Sequence, residues 1–365
     1  MYISELETPA LLIDLDRMEN NLCRAARYAK EHELRLRPHT KTHKIPAIGR
    51  KQIELGAVGL TVAKVGEAEV MLSSGTPDLL VAYPVIGGSK LGRLTEVARQ
   101  TKVTVALDSI QAARQLSDAA RAAQVTIGVL VEADVGMRRC GVAIGEELLT
   151  LARGVARLGP HLSLEGVAFY PGHIRAADEE SRKLLDELAA DVTRIVEDFH
   201  QAGLPLNILS AGSTPLLYQS HEFPGVTEIR PGTYVFNDIN CVRSGEAAWE
   251  DCAVTIMTTV VSNARPGYVM VDGGSKTFSS DRLAGSAEVS FGYVVEAPEA
   301  IVYSQNEEHG YVDVRKCGRE FQIGDRLRII PNHVCVAMNL HEQVYGIRGE
   351  KVEQIWRVEG RGKLQ

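Results

Sequence analysis

Between residues 34 and 235 the chain repeats one pattern: a short apolar, β-branched run, then a segment of helical period. The runs are Leu34–Leu36, Val58–Ala63, Leu79–Ala82, Val103–Leu107, Val125–Glu132, Leu164–Phe169, Leu206–Leu209 and Glu228–Arg230. Among the segments between them are Lys64–Leu72, Ser109–Ala123 and Glu179–His200. The last carries Leu184, Leu185, Leu188, Val192 and Ile195 on one stripe, the spacing of an amphipathic helix. Asp108-Ser109 and Gly212-Ser213-Thr214 stand where N-caps belong. Strands alternating with helices are parallel strands joined by right-handed crossovers. Eight such strands are the number that closes a (β/α)8 TIM-type barrel, with an open doubly wound sheet as the alternative.

After about residue 245 the pattern changes. Strand-like runs follow at Ala253–Val261, Tyr268–Asp272, Tyr293–Val295, Arg326–Ile330, Val334–Met338 and Val352–Val358, separated by turn signals such as Arg265-Pro266-Gly267 and Gly349-Glu350. These predict a mainly antiparallel β domain over 245–365, joined by an early strand within 1–15 (Ala10–Leu15), beside a barrel over 16–244. At 365 residues the chain has the length for two such units. A charge of −7 gives no basic footprint for nucleic acid. No apolar run is long enough to span a bilayer, and no secretory leader is visible at the start, so a cytoplasmic protein without a membrane partner is expected. The six cysteines are scattered without a CxxC pair, which does not read as a disulfide framework.

In a parallel barrel, function collects at the C-terminal ends of the strands. The first strand ends in Arg37-Pro38-His39-Thr40-Lys41-Thr42-His43-Lys44, either a solvated basic loop or a setting for Lys41 as a Schiff-base lysine with a lowered pKa. The fifth ends in Glu132-Ala133-Asp134-Val135-Gly136-Met137-Arg138-Arg139, either a salt-bridge cluster or an arginine aimed into the mouth. The sixth gives Tyr170-Pro171-Gly172-His173, turn residues or a ring platform with a proton carrier. The seventh gives Ser210-Ala211-Gly212-Ser213-Thr214-Pro215, whose small residues suit a phosphate at a helix N-terminus. The eighth gives Arg230-Pro231-Gly232-Thr233-Tyr234. In the β domain, Pro331-Asn332-His333-Val334-Cys335 read as a strand places His333 and Cys335 on one face. Imidazole and thiolate together suit Zn²⁺ with the remaining positions left open, against a plain buried cysteine with an incidental histidine.

Taken together, RPHTKTHK, EADVGMRRCG, FYPGH, SAGSTP, RPGTYVF, VDGGSKTFSSD and PNHVC resemble the D-threonine aldolase / D-serine dehydratase family, pyridoxal-phosphate (PLP) enzymes of the alanine-racemase fold type. The resemblance runs from about residue 6 to the C-terminus. It implies that Lys41 holds PLP and that Arg139 contacts its phenolic oxygen. It places Tyr170 in the cofactor pocket, Gly212, Ser213 and Thr214 at the phosphate and Tyr234 in a neighbouring segment. His333 and Cys335 match the two metal-ligand positions, for Zn²⁺ or Mn²⁺. Aldolases of this pattern carry Asp where Cys335 stands, and D-serine dehydratases carry Cys; the following VAMNLHEQVYG is closer to the aldolases.

The resemblance implies a lyase acting on a small D-β-hydroxy amino acid, by retro-aldol cleavage to glycine and an aldehyde. The alternative on the same scaffold is a D-serine or 3-hydroxyaspartate dehydratase giving a 2-oxo acid and ammonia. Lys41 and His173 are the candidate bases. A racemase would leave His333 and Cys335 without a purpose, and a non-catalytic PLP-binding protein would lack the β domain. A homodimer is implied, and the reaction site is expected where Lys41 of one domain meets His333 and Cys335 of the other.

Overall fold

The computed structural model describes residues 1–175, 179–284 and 289–365. The chain divides into two compact units: one of Met1–Leu22, Thr42–Ile45 and Thr233–Arg361, the other of Cys23–Lys41, Pro46–Gly232 and Gly362–Gln365.

All eight expected barrel strands form in the second unit. Strand β1 (Ala10–Asp14) belongs to the other sheet; the barrel strands are β2 (Arg35–Leu36), β3 (Leu60–Val62), β4 (Asp78–Val81), β5 (Lys102–Leu107), β6 (Ile127–Ala133), β7 (Leu162–Phe169), β8 (Ile208–Ala211) and β9 (Glu228–Ile229). Every neighbouring pair is parallel, in the order β2-β9-β8-β7-β6-β5-β4-β3. The two ends meet just past β2: His39 bridges Thr61 in parallel, and the Thr40 N–H donates to the Thr61 carbonyl at 2.8 Å. The sheet therefore closes on itself as an eight-stranded parallel barrel. Leu80, Ala106, Leu130, Ala168 and Ile208, from five successive strands, form one buried apolar cluster. With a period of two, Glu132 and Ser210 follow on the same face, one step nearer the C-terminal ends.

The helices are α1 (Leu15–Glu31), α2 (Pro46–Glu54), α3 (Val65–Met71), α4 (Gly88–Ala98), α5 (Ile110–Ala123), α6 (Glu146–Ala156) and α7 (Glu179–Gln201). The expected cap at Ser109 is made: its hydroxyl accepts from the Ala112 N–H. On α7 the stripe buries Leu188, Val192 and Ile195. The helix expected after Ser210-Ala211-Gly212-Ser213-Thr214 does not form. Pro215 follows at once, Ser213 Oγ caps the Leu216 N–H, and only a 3₁₀ turn over Leu217–Glu222 develops.

The first unit holds α8 (Ile239–Arg243), α9 (Ser275–Phe278) and α10 (Val334–Leu340) around a nine-stranded sheet. Its strands are β1, β10 (Val254–Ser262), β11 (Tyr268–Val271), β12 (Gly292–Val294), β13 (Ile301–Gln305), β14 (Gly310–Asp313), β15 (Arg326–Pro331), β16 (Gln343–Arg348) and β17 (Lys351–Arg357). It is antiparallel except where β1 lies parallel to β16. β1 is an interior strand, flanked by β10 and β16. The expected strand Val334–Met338 is instead helical, as α10. β13, β14 and β16 were not anticipated from sequence. Among the described residues the six cysteines form no disulfide, and no helix is long and apolar enough to cross a membrane.

Candidate active site

The basic run after β2 does not form one solvated cluster. Arg37 turns inward and is buried, paired with Asp78 at 2.8 Å and with Glu228 at 2.8 Å. Glu228 also accepts from Ser210 Oγ at 2.6 Å, and Ser210 Oγ accepts in turn from Arg230 Nη1 at 2.5 Å. Arg230 Nη2 donates to the Phe169 carbonyl, so this buried arginine is fixed at both ends. Lys41 stays half-exposed, two residues past the bridge that closes the barrel. His39 Nδ1 accepts from the Lys41 N–H. His43 and Lys44 belong to the other unit; both are buried, and Lys44 Nζ donates to the Gly360 carbonyl.

Arg139 lies over the Tyr170 ring at 4.5 Å. The salt-bridge alternative for this loop is not realised: Asp134 caps the Gly136 and Arg138 N–H groups, and no arginine of the segment pairs with an acid among the described residues. The buried Glu132 carboxyl is pushed above the ordinary range by desolvation, with Arg230 and Arg139 opposing. His173 packs on Gly136, where an added Cβ would meet its Nε2 at 3.1 Å. Its Nδ1 is buried without a hydrogen-bond partner among the described residues. A Cβ on Gly212 would meet the Arg230 guanidinium at 2.9 Å, so this position is closed to a side chain. Thr214 Oγ1 accepts from the Gly232 N–H, tying the loops after β8 and β9 together. A half-exposed amine, an arginine over an aromatic ring, a glycine-lined loop and an orphaned imidazole nitrogen are a donor set that fits PLP.

In the first unit, His333 and Cys335 are brought together, though not as strand neighbours. His333 is the residue before α10 and Cys335 lies in its first turn. Asp238, fully buried, organises the pair. Its Oδ2 accepts from His333 Nδ1 and from the Val334 N–H, each at 3.0 Å, and its Oδ1 caps α8 by accepting from the Cys241 N–H. Nδ1 is thereby committed, and Nε2 is the nitrogen left to face Cys335. Burial disfavours the charged ring, yet the Cys335 sulfur and the Asp238 carboxylate outweigh it and push the His333 pKa up to about 11. The proton so held is the one a metal ion would displace. Cys335 Sγ also has Thr42 Oγ1 at 3.2 Å and Thr233 Oγ1 at 3.7 Å. Imidazole, thiolate and a carboxylate behind the imidazole fit a soft divalent cation. Among the described residues no third His, Cys, Asp or Glu completes a ligand set, so the donors fit an open site. Tyr234 is buried in a 3₁₀ turn of the same unit. Asp238 was missed in the sequence; the one signal available was its place as an N-cap, which says nothing about His333.

Residues 13–239 match the model of the alanine racemase N-terminal domain, and residues 253–347 that of a putative serine dehydratase domain. The chain is 32% identical to the 3-hydroxy-D-aspartate aldolase of Paracoccus denitrificans, over 99% of this chain and 93% of the relative. It is 33% identical to the D-threo-3-hydroxyaspartate dehydratase of Delftia sp., over 90% and 91%; the structure of a D-threo-3-hydroxyaspartate dehydratase variant in a metal-free form covers 98% of this chain at 30% identity, with a TM-score of 0.87. The structure superposes on D-threonine aldolase from Filomicrobium marinum with a TM-score of 0.92 at 31% identity, covering 100% of this chain and 98% of that one. With both sequence and fold matched over nearly its whole length, the chain belongs to the D-threonine aldolase / D-serine dehydratase family of PLP-dependent lyases.

Proposed function

We propose that the chain cleaves D-β-hydroxy amino acids by the retro-aldol route of D-threonine aldolases, giving glycine and an aldehyde, with PLP and a divalent metal. The observation that carries this reading is the His333–Cys335 pair with Asp238 behind the imidazole, chemistry that a racemase has no use for. Lys41 would hold PLP, with Arg139 at its phenolic oxygen, Tyr170 beside it, and Gly212, Ser213 and Thr214 at its phosphate. Tyr234 would be a further candidate for binding the cofactor. His333 and Cys335 would hold the metal; the thiolate favours Zn²⁺ over Mn²⁺. PLP supplies a sink for the electrons left at Cα, and the metal a Lewis acid for the β-hydroxyl. His173, whose Nδ1 has no hydrogen-bond partner among the described residues, and Lys41 would be the proton carriers. The reading extends to a cytoplasmic homodimer with a small-molecule D-β-hydroxy amino acid as its partner.

The dehydratase reading is second, favoured by Cys335 and by the Delftia relative. Product analysis with D-threonine and D-serine separates the two. Glycine with acetaldehyde supports the aldolase; 2-oxobutanoate or pyruvate with ammonia replaces it with the dehydratase. The holoprotein is expected to be yellow, Lys41→Ala to bleach it, and a chelator to abolish turnover until Zn²⁺ or Mn²⁺ is restored. Full turnover in chelator would overturn the metal-dependent reading.

A further inference from the structure

The closed barrel brings the segment carrying a second lysine, Lys64, next to the one that carries Lys41. Thr61 on β3 bridges His39, and Lys41 and Lys64 lie two and three residues beyond these partners, on neighbouring chain segments at the same rim. Lys64 precedes α3 in extended backbone, and its Nζ sits 3.4 Å from the centroid of the Tyr83 ring, which follows β4. Lys64 is half-buried, and Tyr83 is one of the exposed large side chains, 46% accessible.

Of four other cations at these ends, two donate to protein oxygens, one is the candidate for the cofactor and one is exposed. Arg230 donates to Ser210 and to the Phe169 carbonyl, and Arg175 donates to the Gly172 carbonyl. Arg139 lies over Tyr170, and Arg138 is exposed. Lys64 has no carboxylate or carbonyl partner among the described residues, only the ring face. An ammonium held on an aromatic ring keeps its charge and a fixed position at little entropic cost, with its remaining N–H donors directed away from the ring. An amino acid bound at Lys41 brings at least one carboxylate to this rim.

We propose that Lys64, held by Tyr83, is the residue that binds a carboxylate of the amino acid substrate. This rests on the PLP reading of Lys41. Two carboxylates share the chemistry: the α-carboxylate common to all amino acids and the β-carboxylate of 3-hydroxyaspartate-type substrates.

The test measures ligand binding to the holoprotein through the change in its visible absorbance, alongside kcat and KM, for D-threonine and 3-hydroxy-D-aspartate. Lys64→Met is expected to raise Kd and KM about tenfold, with kcat changed far less, and Lys64→Arg to restore most of the loss. Added salt should narrow the gap between parent and Lys64→Met. A loss with both substrates assigns Lys64 to the α-carboxylate; a loss with 3-hydroxy-D-aspartate alone assigns it to the β-carboxylate. Parent-like Kd for both substrates in Lys64→Met, or an equal loss in Lys64→Arg, overturns the proposal. A parent protein that is colourless, or unmoved by either ligand, instead overturns the PLP reading, so the two failures are distinct.

Discussion

Asp238→Asn keeps the shape of the side chain and removes its charge. The carboxylate accepts three hydrogen bonds, from His333 Nδ1, the Val334 N–H and the Cys241 N–H, and has no exposure to water. An amide has one accepting oxygen. Turned toward His333 it preserves two of the three bonds and sets its NH₂ against the Cys241 N–H, losing a helix cap worth about 1 kcal/mol. The two bonds kept lose their charge assistance, about 1 kcal/mol each. The expected loss is therefore about 2–3 kcal/mol, read from urea denaturation of the metal-free protein. The same change loosens the imidazole that would face the metal, for which a loss of about 10–100-fold in metal affinity is expected, read by competition with a chromophoric chelator. Unfolding free energy within about 0.5 kcal/mol of the parent, together with unchanged metal affinity, would refute the role given to Asp238.

Two further outcomes are expected. Arg37→Met leaves Glu228 and Asp78 without their shared cation in the barrel interior and should cost about 3–5 kcal/mol in urea denaturation; a loss below about 1 kcal/mol would mean Ser210 alone satisfies Glu228. Glu132 has a folded pKa raised above its ordinary 4.5, so its contribution to stability is present below that value and is lost as pH rises through the raised one. Glu132→Gln escapes this loss, and its stability relative to the parent should grow between pH 4 and pH 7; a constant difference across that range contradicts the assignment.

The barrel was legible because most of its strands are short apolar runs set between helices, a contrast in period that recurs along the chain as far as β8. Val334-Cys335-Val336-Ala337-Met338 was not, because five apolar residues cannot be told from a buried helical turn by period alone. β16 was hidden by Gly346, where an added Cβ would meet Leu15 Cδ2 at 2.9 Å; a close approach of neighbouring groups demanded a residue that weakens the strand signal. The chemistry at Lys41, His173, His333 and Cys335 could be read as local residue types. Asp238 could not, since its link to His333 spans 95 residues and exists only after folding.

β1 has a consequence for how the molecule is made. It is synthesised before both of its neighbours: its parallel partner β16 follows about 330 residues later, and β10 lies between them in the chain. At roughly 5–20 residues per second, residues 10–14 wait on the order of 15–70 s on the ribosome before that pairing is possible. Every barrel strand has emerged by residue 229, so the parallel sheet can close before any strand of the other sheet except β1 exists. The apolar run Ala10–Ile13 has no strand partner until β10 emerges about 240 residues later, and until then it is an unpaired strand open to wrong pairing.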